Sequence, residues 1–208
     1  MLPIEKRIRS KADLKDFLSV ELSFYKTGFF TYLLQCNEAA VLRRHQILLR
    51  KTEYYLNTGK RIRGYFYKIL LLRFQNKYCL HIATNCCGKG LRIMHVGPIL
   101  MNGSVTIGEN CKIHFNTAFV AGGTSQDSPT LGDSVVVGVG ATVLGGITIA
   151  NNVAIGAGAV VNKDVLEESV TVAGVPAKKI SNHGSGNWGK GAKPKKEAVQ
   201  KAHPEWFE

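Results

Sequence analysis

The 208-residue sequence lacks the long apolar segment that would carry a chain through a membrane. It has no run of 18 apolar residues, so we predict no membrane-spanning helix. Its N-terminus also lacks the basic segment followed by an apolar one that is typical of a signal peptide. We therefore expect no secretory leader and predict a cytoplasmic location.

Cysteine is scarce and irregularly placed, which argues against two further classes of protein. The five cysteines are Cys36, Cys79, Cys86, Cys87 and Cys111. Their number is odd and no Cys-x-x-Cys spacing occurs, so neither a disulfide framework nor a structural zinc site is expected. We predict no bound metal.

Acidic residues are also few, with 15 Asp and Glu against 27 Lys and Arg and a formal net charge of +12. The excess is concentrated between residues 40 and 73, where Glu53 is the only acid. Such a balance suits an anionic partner, either a phosphate-bearing small molecule or an acidic membrane face. No nucleic-acid-reading motif accompanies the charge, so a nucleic-acid partner is not expected.

An aliphatic residue returning at every sixth position is the dominant pattern in this sequence. The ladder consists of Ile107, Ile113, Phe119, Ser125, Leu131, Val137, Val143, Ile149, Ile155 and Val161. Small residues follow most of its members, which lets the chain turn between short strands. This period indicates a β-solenoid of hexapeptide repeats. A sandwich would instead need turn clusters every 8 to 12 residues.

The remaining segments predict an α+β protein, mainly β, in three parts. Apolar residues at helical spacing indicate an N-terminal helical domain over residues 1–81. The solenoid is assigned to residues 82–180. Residues 181–208 are rich in Gly and Lys and are predicted to form a flexible basic tail.

His95 is the strongest candidate for a chemical role. If the hexad frame slips by two residues upstream of Ile107, Ile93 and Ile99 are the local rungs and His95 faces outward; if the downstream frame holds, it points inward. We favour the outward orientation, because an exposed imidazole between apolar neighbours suits a general base. His114 is about one coil further on and is predicted to line the same groove. His45, His183 and His203 are expected to be solvated.

Three segments resemble a known family: GLRIMHVGPILMNGSVTIGENCKIH, LGDSVVVGVGATVLGGITIANNVAIGAGAVV and VTVAGVPAKKI. Over residues 82–180 they are similar to serine acetyltransferases and their polysaccharide O-acetyltransferase relatives. The resemblance implies a left-handed parallel β-helix, a homotrimer, and acetyl-CoA bound between adjacent subunits. It also implies that His95 takes the proton from an acceptor hydroxyl. The N-terminal stretch LLRKTEYYLNTGKR resembles the sugar-modifying branch.

Small residues at the solenoid corners would allow the backbone to approach acetyl-CoA, although tight corners require such residues anyway. The predicted cofactor-contacting residues are Gly140, Ala141, Gly158 and Ala159. Lysines past the last rungs are expected to contact the phosphates of coenzyme A. These are Lys163, Lys178 and Lys179.

Departures from the serine acetyltransferase pattern favour a different acceptor. Asp127 and Ser128 stand where those enzymes carry an Arg-His pair before a proline, and an aspartate would repel a carboxylate. Met94 replaces the Asp that precedes the histidine, and the Asp that orients the histidine has no counterpart near Leu80. Glu53 is therefore assigned as its orienting partner. The predicted acceptor-binding residues are His114, Asp127 and Glu53.

These departures predict an O-acetyltransferase acting on a sugar hydroxyl in surface polysaccharide biosynthesis, with serine O-acetylation as the alternative. A membrane-linked acceptor would explain the basic helices and would place the protein at the inner face of an anionic membrane. Two other classes fit less well. A γ-type carbonic anhydrase needs a third zinc-binding histidine, and a non-catalytic scaffold would not need His95.

Overall fold

A computed structural model of the chain describes residues 1–123 and 126–187. The helices are α1 (Lys11–Ser23), α2 (Phe29–Leu34), α3 (Glu38–Asn57) and α4 (Arg61–Tyr78), with 3₁₀ turns at Ile4–Lys6 and Ser185–Asn187. The strands are β1 (Leu80–His81), β2 (Arg92–Ile93), β3 (Ile99–Met101), β4 (Thr106–Ile107), β5 (Lys112–Ile113), β6 (Thr117–Val120), β7 (Thr130–Leu131), β8 (Val136–Val137), β9 (Thr142–Leu144), β10 (Thr148–Ile149), β11 (Ala154–Ile155), β12 (Val160–Val161), β13 (Thr171–Ala173) and β14 (Lys178–Ser181).

The predicted helical N-terminal region is confirmed, and local capping explains where its helices begin. The Ser10 side chain accepts a hydrogen bond from the Asp13 backbone, while Asp13 bonds back to the Ser10 backbone, which forms a capping box for α1. At the start of α3, the Asn37 side chain accepts a bond from Ala40 N at 2.8 Å. In the described ranges, no helix is long and apolar enough to cross a bilayer.

The strands form three parallel sheets that together make a β-solenoid. The first sheet contains β1-β3-β6-β9-β12, the second β4-β7-β10, and the third β2-β5-β8-β11-β13, with β14 added antiparallel to β13. In the regular part each strand pairs with the strand three places later, as expected when three strands make one coil. This confirms the predicted parallel-strand solenoid; its left-handed sense stays a prediction.

One coil departs from the regular period. Thr106 pairs with Thr130, a step of 24 residues, whereas Thr130 pairs with Thr148, a step of 18. The additional residues form the loop at 121–129, so Ile107 pairs directly with Leu131. The ladder position at Ser125, which lies outside the described residues, is therefore not a rung. The apolar pattern resumes in phase because the loop adds a whole hexad.

The frame slip lies at the turn that carries His95. Met101 pairs with buried Phe119, so the downstream frame extends back to Met101. Ile93 pairs with Ile113, a step of 20 residues. The two extra residues are thus between Ile93 and Met101, slightly upstream of the predicted slip. They turn His95 outward, as the sequence predicted.

The helical domain covers the open edge of the first coil with polar side chains. The buried Tyr25 hydroxyl donates to Ile93 O at 2.9 Å and accepts from Ile93 N at 2.7 Å. The Gln46 side-chain amide donates to Leu91 O at 2.8 Å. These bonds satisfy strand groups that would otherwise be exposed to another chain. They also fix α1 and α3 on the solenoid.

Arg50 forms the centre of this contact. It is 1% exposed and pairs with Glu21 at 2.7 Å and Glu53 at 2.8 Å. Its guanidinium also donates to Cys87 O and Gly88 O, both at 2.9 Å. Burial opposes its charge, but the two carboxylates more than offset this and raise the pKa of Arg50. A charged arginine therefore joins α1, α3 and the first coil.

The prediction that His45 is solvated was wrong. It is fully buried in α3, with its ring centroid 6.5 Å from that of Phe74. Burial lowers the pKa of His45 to about 4, so the ring is neutral near pH 7. At the other end, β14 continues to Ser181, so residue 181 is part of a strand. Residues 188–208, most of the predicted tail, lie outside the described residues.

Candidate active site

His95 and His114 lie at one corner of the solenoid, where the chain passes from the third sheet to the first. His95 follows β2 and His114 follows β5, in consecutive coils. Their ring centroids are 6.1 Å apart, and the His95 side chain is 51% exposed. The structure thus brings together the two histidines that the sequence assigned to one groove. We call this edge the histidine corner and define it as residues 94–98, 114–116, 138–141 and 156–159.

Glu38, in the first turn of α3, holds the imidazole of His95. Its Oε2 is 3.1 Å from His95 Nδ1, and its Oε1 accepts a hydrogen bond from Val96 N at 2.7 Å. A carboxylate only accepts hydrogen bonds, so this contact requires the proton of a neutral His95 to be on Nδ1. The lone pair is then on Nε2. This is the tautomer that a general base acting through Nε2 needs.

Glu53, predicted to be the orienting partner of His95, is elsewhere. It is buried beside Arg50, and its Oε1 accepts a hydrogen bond from Asn85 N at 2.7 Å. That assignment and its predicted contact with an acceptor were wrong. Sequence reasoning missed Glu38, whose only local signal is its position just after the helix cap Asn37. Nothing in the sequence pattern connects Glu38 with a solenoid corner 57 residues away.

The neighbouring rings restrict and tune the pair of histidines. Phe115 meets His95 edge to face, with ring centroids 6.0 Å apart and an interplanar angle of 89°. Burial lowers the pKa of His114, and the nearby His95 lowers it further. His114 therefore remains neutral at a pH where an exposed histidine begins to charge. A neutral imidazole can donate one hydrogen bond and accept another.

The next two coils of the histidine corner present backbone with little side chain. Gly140 and Gly158 have φ of 72° and 67°, conformations that favour glycine. A Cβ added at Gly158 would meet no atom within 4 Å, and one added at Gly140 would approach only to 3.8 Å. Open space therefore borders the corner below the histidines, as the prediction of a cofactor strip requires.

Ala141 and Ala159 do not belong to this surface. Each has 0% exposed area, because each side chain points into the solenoid interior. The prediction that they contact a cofactor is corrected on this ground. The small size of these two residues fits the narrow interior, whereas Gly140 and Gly158 are the members of the set that border solvent.

The other predicted site residues lie away from the histidine corner. Asp127 is in the loop at 121–129, where the chain passes from the first sheet to the second. That loop rests on the next coil, since a Cβ at Gly146 would come within 2.4 Å of Asp127 Cβ. Lys163 follows β12 at this same edge, which we call the loop corner. One chain therefore separates Asp127 and Lys163 from His95.

Lys178 and Lys179 are on β14 at the end of the third sheet, and both are exposed. Lys179 Nζ pairs with Glu167 at 2.5 Å. The histidine corner reaches this end of the solenoid, since Ala177 N donates to Val160 O in the strand that follows Gly158. The predicted phosphate contacts of these lysines stay a prediction.

Two curated relatives carry the sequence similarity. A serine acetyltransferase from Synechococcus elongatus is 41% identical over 101 residues, covering 47% of this chain and 40% of the relative. One from Buchnera aphidicola is 33% identical over 138 residues, covering 64% of this chain and 48% of the relative. The matches thus span less than half the length of these relatives. No protein-family model matches the chain.

Solved structures show the same fold. A Neisseria gonorrhoeae serine acetyltransferase in complex with serine superposes with a TM-score of 0.61 at 25% identity, covering 83% of this chain and 71% of that one. A Brucella abortus serine acetyltransferase in complex with coenzyme A superposes with a TM-score of 0.54 at 22% identity, covering 84% of this chain and 70% of that one. The helical region followed by parallel sheets is common to both.

These similarities overturn one prediction. The departures at Met94 and Asp127 favoured a sugar hydroxyl in surface polysaccharide biosynthesis as the acceptor. The relatives and the superposed structures are instead serine acetyltransferases, so the sugar prediction was wrong. Two side-chain differences were given more weight than the whole solenoid and its closing segment. The alternative, serine O-acetylation, is supported better.

Proposed function

We propose that this chain is an acetyl-CoA-dependent serine O-acetyltransferase. The observation that carries the proposal is the Glu38–His95 pair, which presents a base on an exposed corner beside a strip of open backbone. The similarity to serine acetyltransferases supports both the reaction and the acceptor. The fold alone would not, since one fold serves many reactions.

In the proposed reaction, His95 activates the hydroxyl of serine. Glu38 holds the proton on Nδ1, so Nε2 accepts the hydroxyl proton while the serine oxygen attacks the acetyl carbonyl carbon. The carbon–sulfur bond breaks, and the proton on Nε2 passes to the departing thiolate. His95 is thereby restored to its starting tautomer. A free hydroxyl is a weak nucleophile near neutral pH, so this proton transfer is required.

Acetyl-CoA would supply the activated acetyl group as a thioester. The open strip at Gly140 and Gly158 fits a long, narrow ligand that lies along the histidine corner. Lys178 is exposed at the end of that corner, where its ammonium group could pair with phosphate. A cationic chain also favours the approach of an anionic co-substrate. These features assign the thioester to the histidine end of the strip.

We further propose that the complete site forms between two copies of the chain in a homotrimer. Asp127 and Lys163 lie at the loop corner, and His95 lies at another corner of the same three-sided solenoid. They can act on one substrate only if the loop corner of one chain faces the histidine corner of another. A three-fold ring of identical contacts provides this arrangement three times.

The proposed arrangement gives Asp127 a role in binding serine. Its carboxylate argued against an amino acid as acceptor because it repels the substrate carboxylate. Serine also carries an ammonium group, and Asp127 of a neighbouring copy can pair with that group instead. His114, neutral beside His95, would accept or donate a hydrogen bond to the substrate. Asp127 and His114 thus remain proposed acceptor-binding residues.

An acetyl-CoA consumption assay on the purified full chain tests the function. We expect turnover with L-serine and formation of O-acetylserine, confirmed by mass spectrometry. Turnover with free sugars should remain at the level of hydrolysis measured without an acceptor. Sugar acetylation with no serine turnover would overturn the proposal, and so would thioester hydrolysis that is unaffected by serine.

Replacing Glu38 with Gln should lower kcat by about 10- to 1,000-fold and change the KM for serine little, because the amide no longer requires the proton to be on Nδ1. The loss should be smaller than the ~10⁴-fold loss known for a buried triad aspartate, since Glu38 and His95 are half exposed. The ¹⁵N shifts of the His95 ring should also show a changed tautomer population. Glu5→Gln, at an exposed position remote from His95, is the control. An unchanged kcat would contradict this role of Glu38.

A further inference from the structure

The outward face of α4 carries a large apolar surface that nothing in the described structure covers. It lies opposite the side of the helix that buries Leu71 and Phe74. Ile62 is 88% exposed, and its neighbours along this face are also largely exposed. The exposed apolar residues of α4 are Ile62, Tyr65, Phe66, Ile69, Leu70 and Leu72. Contiguous apolar surface of this kind marks an interaction site rather than ordinary solvent-facing helix.

Positive charge accompanies this face and negative charge does not. The helix α4 contains no Asp or Glu from Arg61 to Tyr78. Its cations are Arg61, Arg63, Lys68, Arg73 and Lys77. At 100° per residue, Arg61 and Arg63 flank Ile62 on either side of the apolar face. Their long side chains can lie along apolar surface while the guanidinium groups reach polar surroundings.

The charge pattern distinguishes between occupants of this face. A second copy of the same face would bring two sets of cations together, with no acid on α4 to offset them. A surface with an apolar interior and an anionic rim matches both features. The boundary of an anionic lipid bilayer has this chemistry, and amphipathic helices with basic flanks lie in it.

We propose that α4 docks the protein on the surface of anionic membranes. The helix lies in the plane of the interface, with Ile62, Phe66 and Ile69 among the acyl chains. Arg61 and Arg63 pair with lipid phosphates at the level of the headgroups. The arrangement is peripheral, as no helix in residues 1–123 or 126–187 is suited to span a bilayer.

The basic region is smaller than the sequence alone indicated. Arg50 is buried between two carboxylates, and Arg43 donates to Leu22 O at 3.1 Å. These two arginines of the basic stretch between residues 40 and 73 are engaged within the protein. The cations of α4 are exposed. The membrane surface is therefore assigned to α4 and not to α3.

Vesicle flotation of the full chain tests the proposal. We expect binding to vesicles of equal parts phosphatidylglycerol and phosphatidylcholine, and little binding to phosphatidylcholine alone. Arg61→Gln with Arg63→Gln should lower the partition coefficient by about 30-fold, given the attraction of each cation to an anionic leaflet. Lys11→Gln with Lys15→Gln on α1 is the matched control and should bind much like the unchanged chain.

Phe66→Ser with Ile69→Ser should lower binding to the same vesicles by at least about 10-fold, since apolar burial is lost. Leu166→Ser with Ile180→Ser, exposed apolar residues at the far end of the solenoid, is the control. Light scattering without lipid should give the same mass, three chains, for these variants and the unchanged protein.

Three outcomes would overturn the proposal. The first is equal binding to neutral and anionic vesicles, or none to either. The second is unchanged binding by the Phe66/Ile69 variant. The third is a fall in particle mass in that variant, which would make the face a contact between copies of this chain. Serine turnover without lipid is measured in parallel and should be unaffected, so failure here is distinct from failure of the proposed enzyme activity.

Discussion

Replacement of His95 by alanine should lower kcat by about 10²- to 10⁴-fold, the range expected for loss of a general base. The imidazole is the group that Glu38 fixes in the tautomer able to accept a proton on Nε2. Without it, the serine hydroxyl must attack with its proton in place. Binding of coenzyme A should change little, because the open strip at Gly140 and Gly158 does not include the imidazole.

The measurement is kcat with saturating L-serine and acetyl-CoA, alongside calorimetric binding of coenzyme A. His183→Ala is the matched control, since His183 is an exposed histidine at the far end of the solenoid. It should retain the full rate. Near-normal kcat in the His95 variant, with coenzyme A still bound, would remove His95 from the reaction and with it the mechanism proposed above.

Arg50→Ala should reduce the free energy of unfolding by about 3–5 kcal/mol, because it leaves two buried carboxylates without their counter-charge. Glu21 and Glu53 would then face each other in the interior. The carbonyl groups of Cys87 and Gly88 would also lose their donors. The first coil and the helical domain are joined through this side chain, so the domain contact should weaken with it.

Urea unfolding followed by far-ultraviolet circular dichroism, at one protein concentration, measures this loss. Arg44→Ala, on the same helix and partly exposed, should change the value by less than about 0.5 kcal/mol. If Arg50→Ala does not fold, Arg50→Met with Glu21→Gln and Glu53→Gln removes all three charges together. That variant should fold and be more stable than Arg50→Met alone. Equal stability of the two would show that the buried carboxylates are not the cause.

The solenoid was predictable because its signal is local and repeated. Each hexad makes its own strand and corner, so the apolar ladder from Ile107 to Val161 reports the fold directly. The outward orientation of His95 followed from counting rungs, and the structure places the two extra residues in the turn that carries it. The loop at 121–129 was not predicted, because it adds a whole hexad and leaves the ladder in phase.

The acceptor was predicted wrongly because single substitutions were read outside their three-dimensional setting. Asp127 was assigned to a carboxylate clamp by its position before Pro129. In the structure it lies at a different corner from His95, so its effect on a substrate depends on a second copy of the chain. The sign of one charge could not decide the substrate until its place relative to the base was known.

By itself the sequence determined the β-solenoid, the helical N-terminal region and the exposed histidine, since these follow from spacing along the chain. Only the tertiary structure decided that Glu38 holds His95, that Glu53 belongs to a buried charge cluster, and that Ala141 and Ala159 face inward. Contacts across 57 residues depend on how α3 is seated on the first coil. That seating is set by the bonds of Tyr25, Gln46 and Arg50 to strand backbone, and no period in the sequence records them.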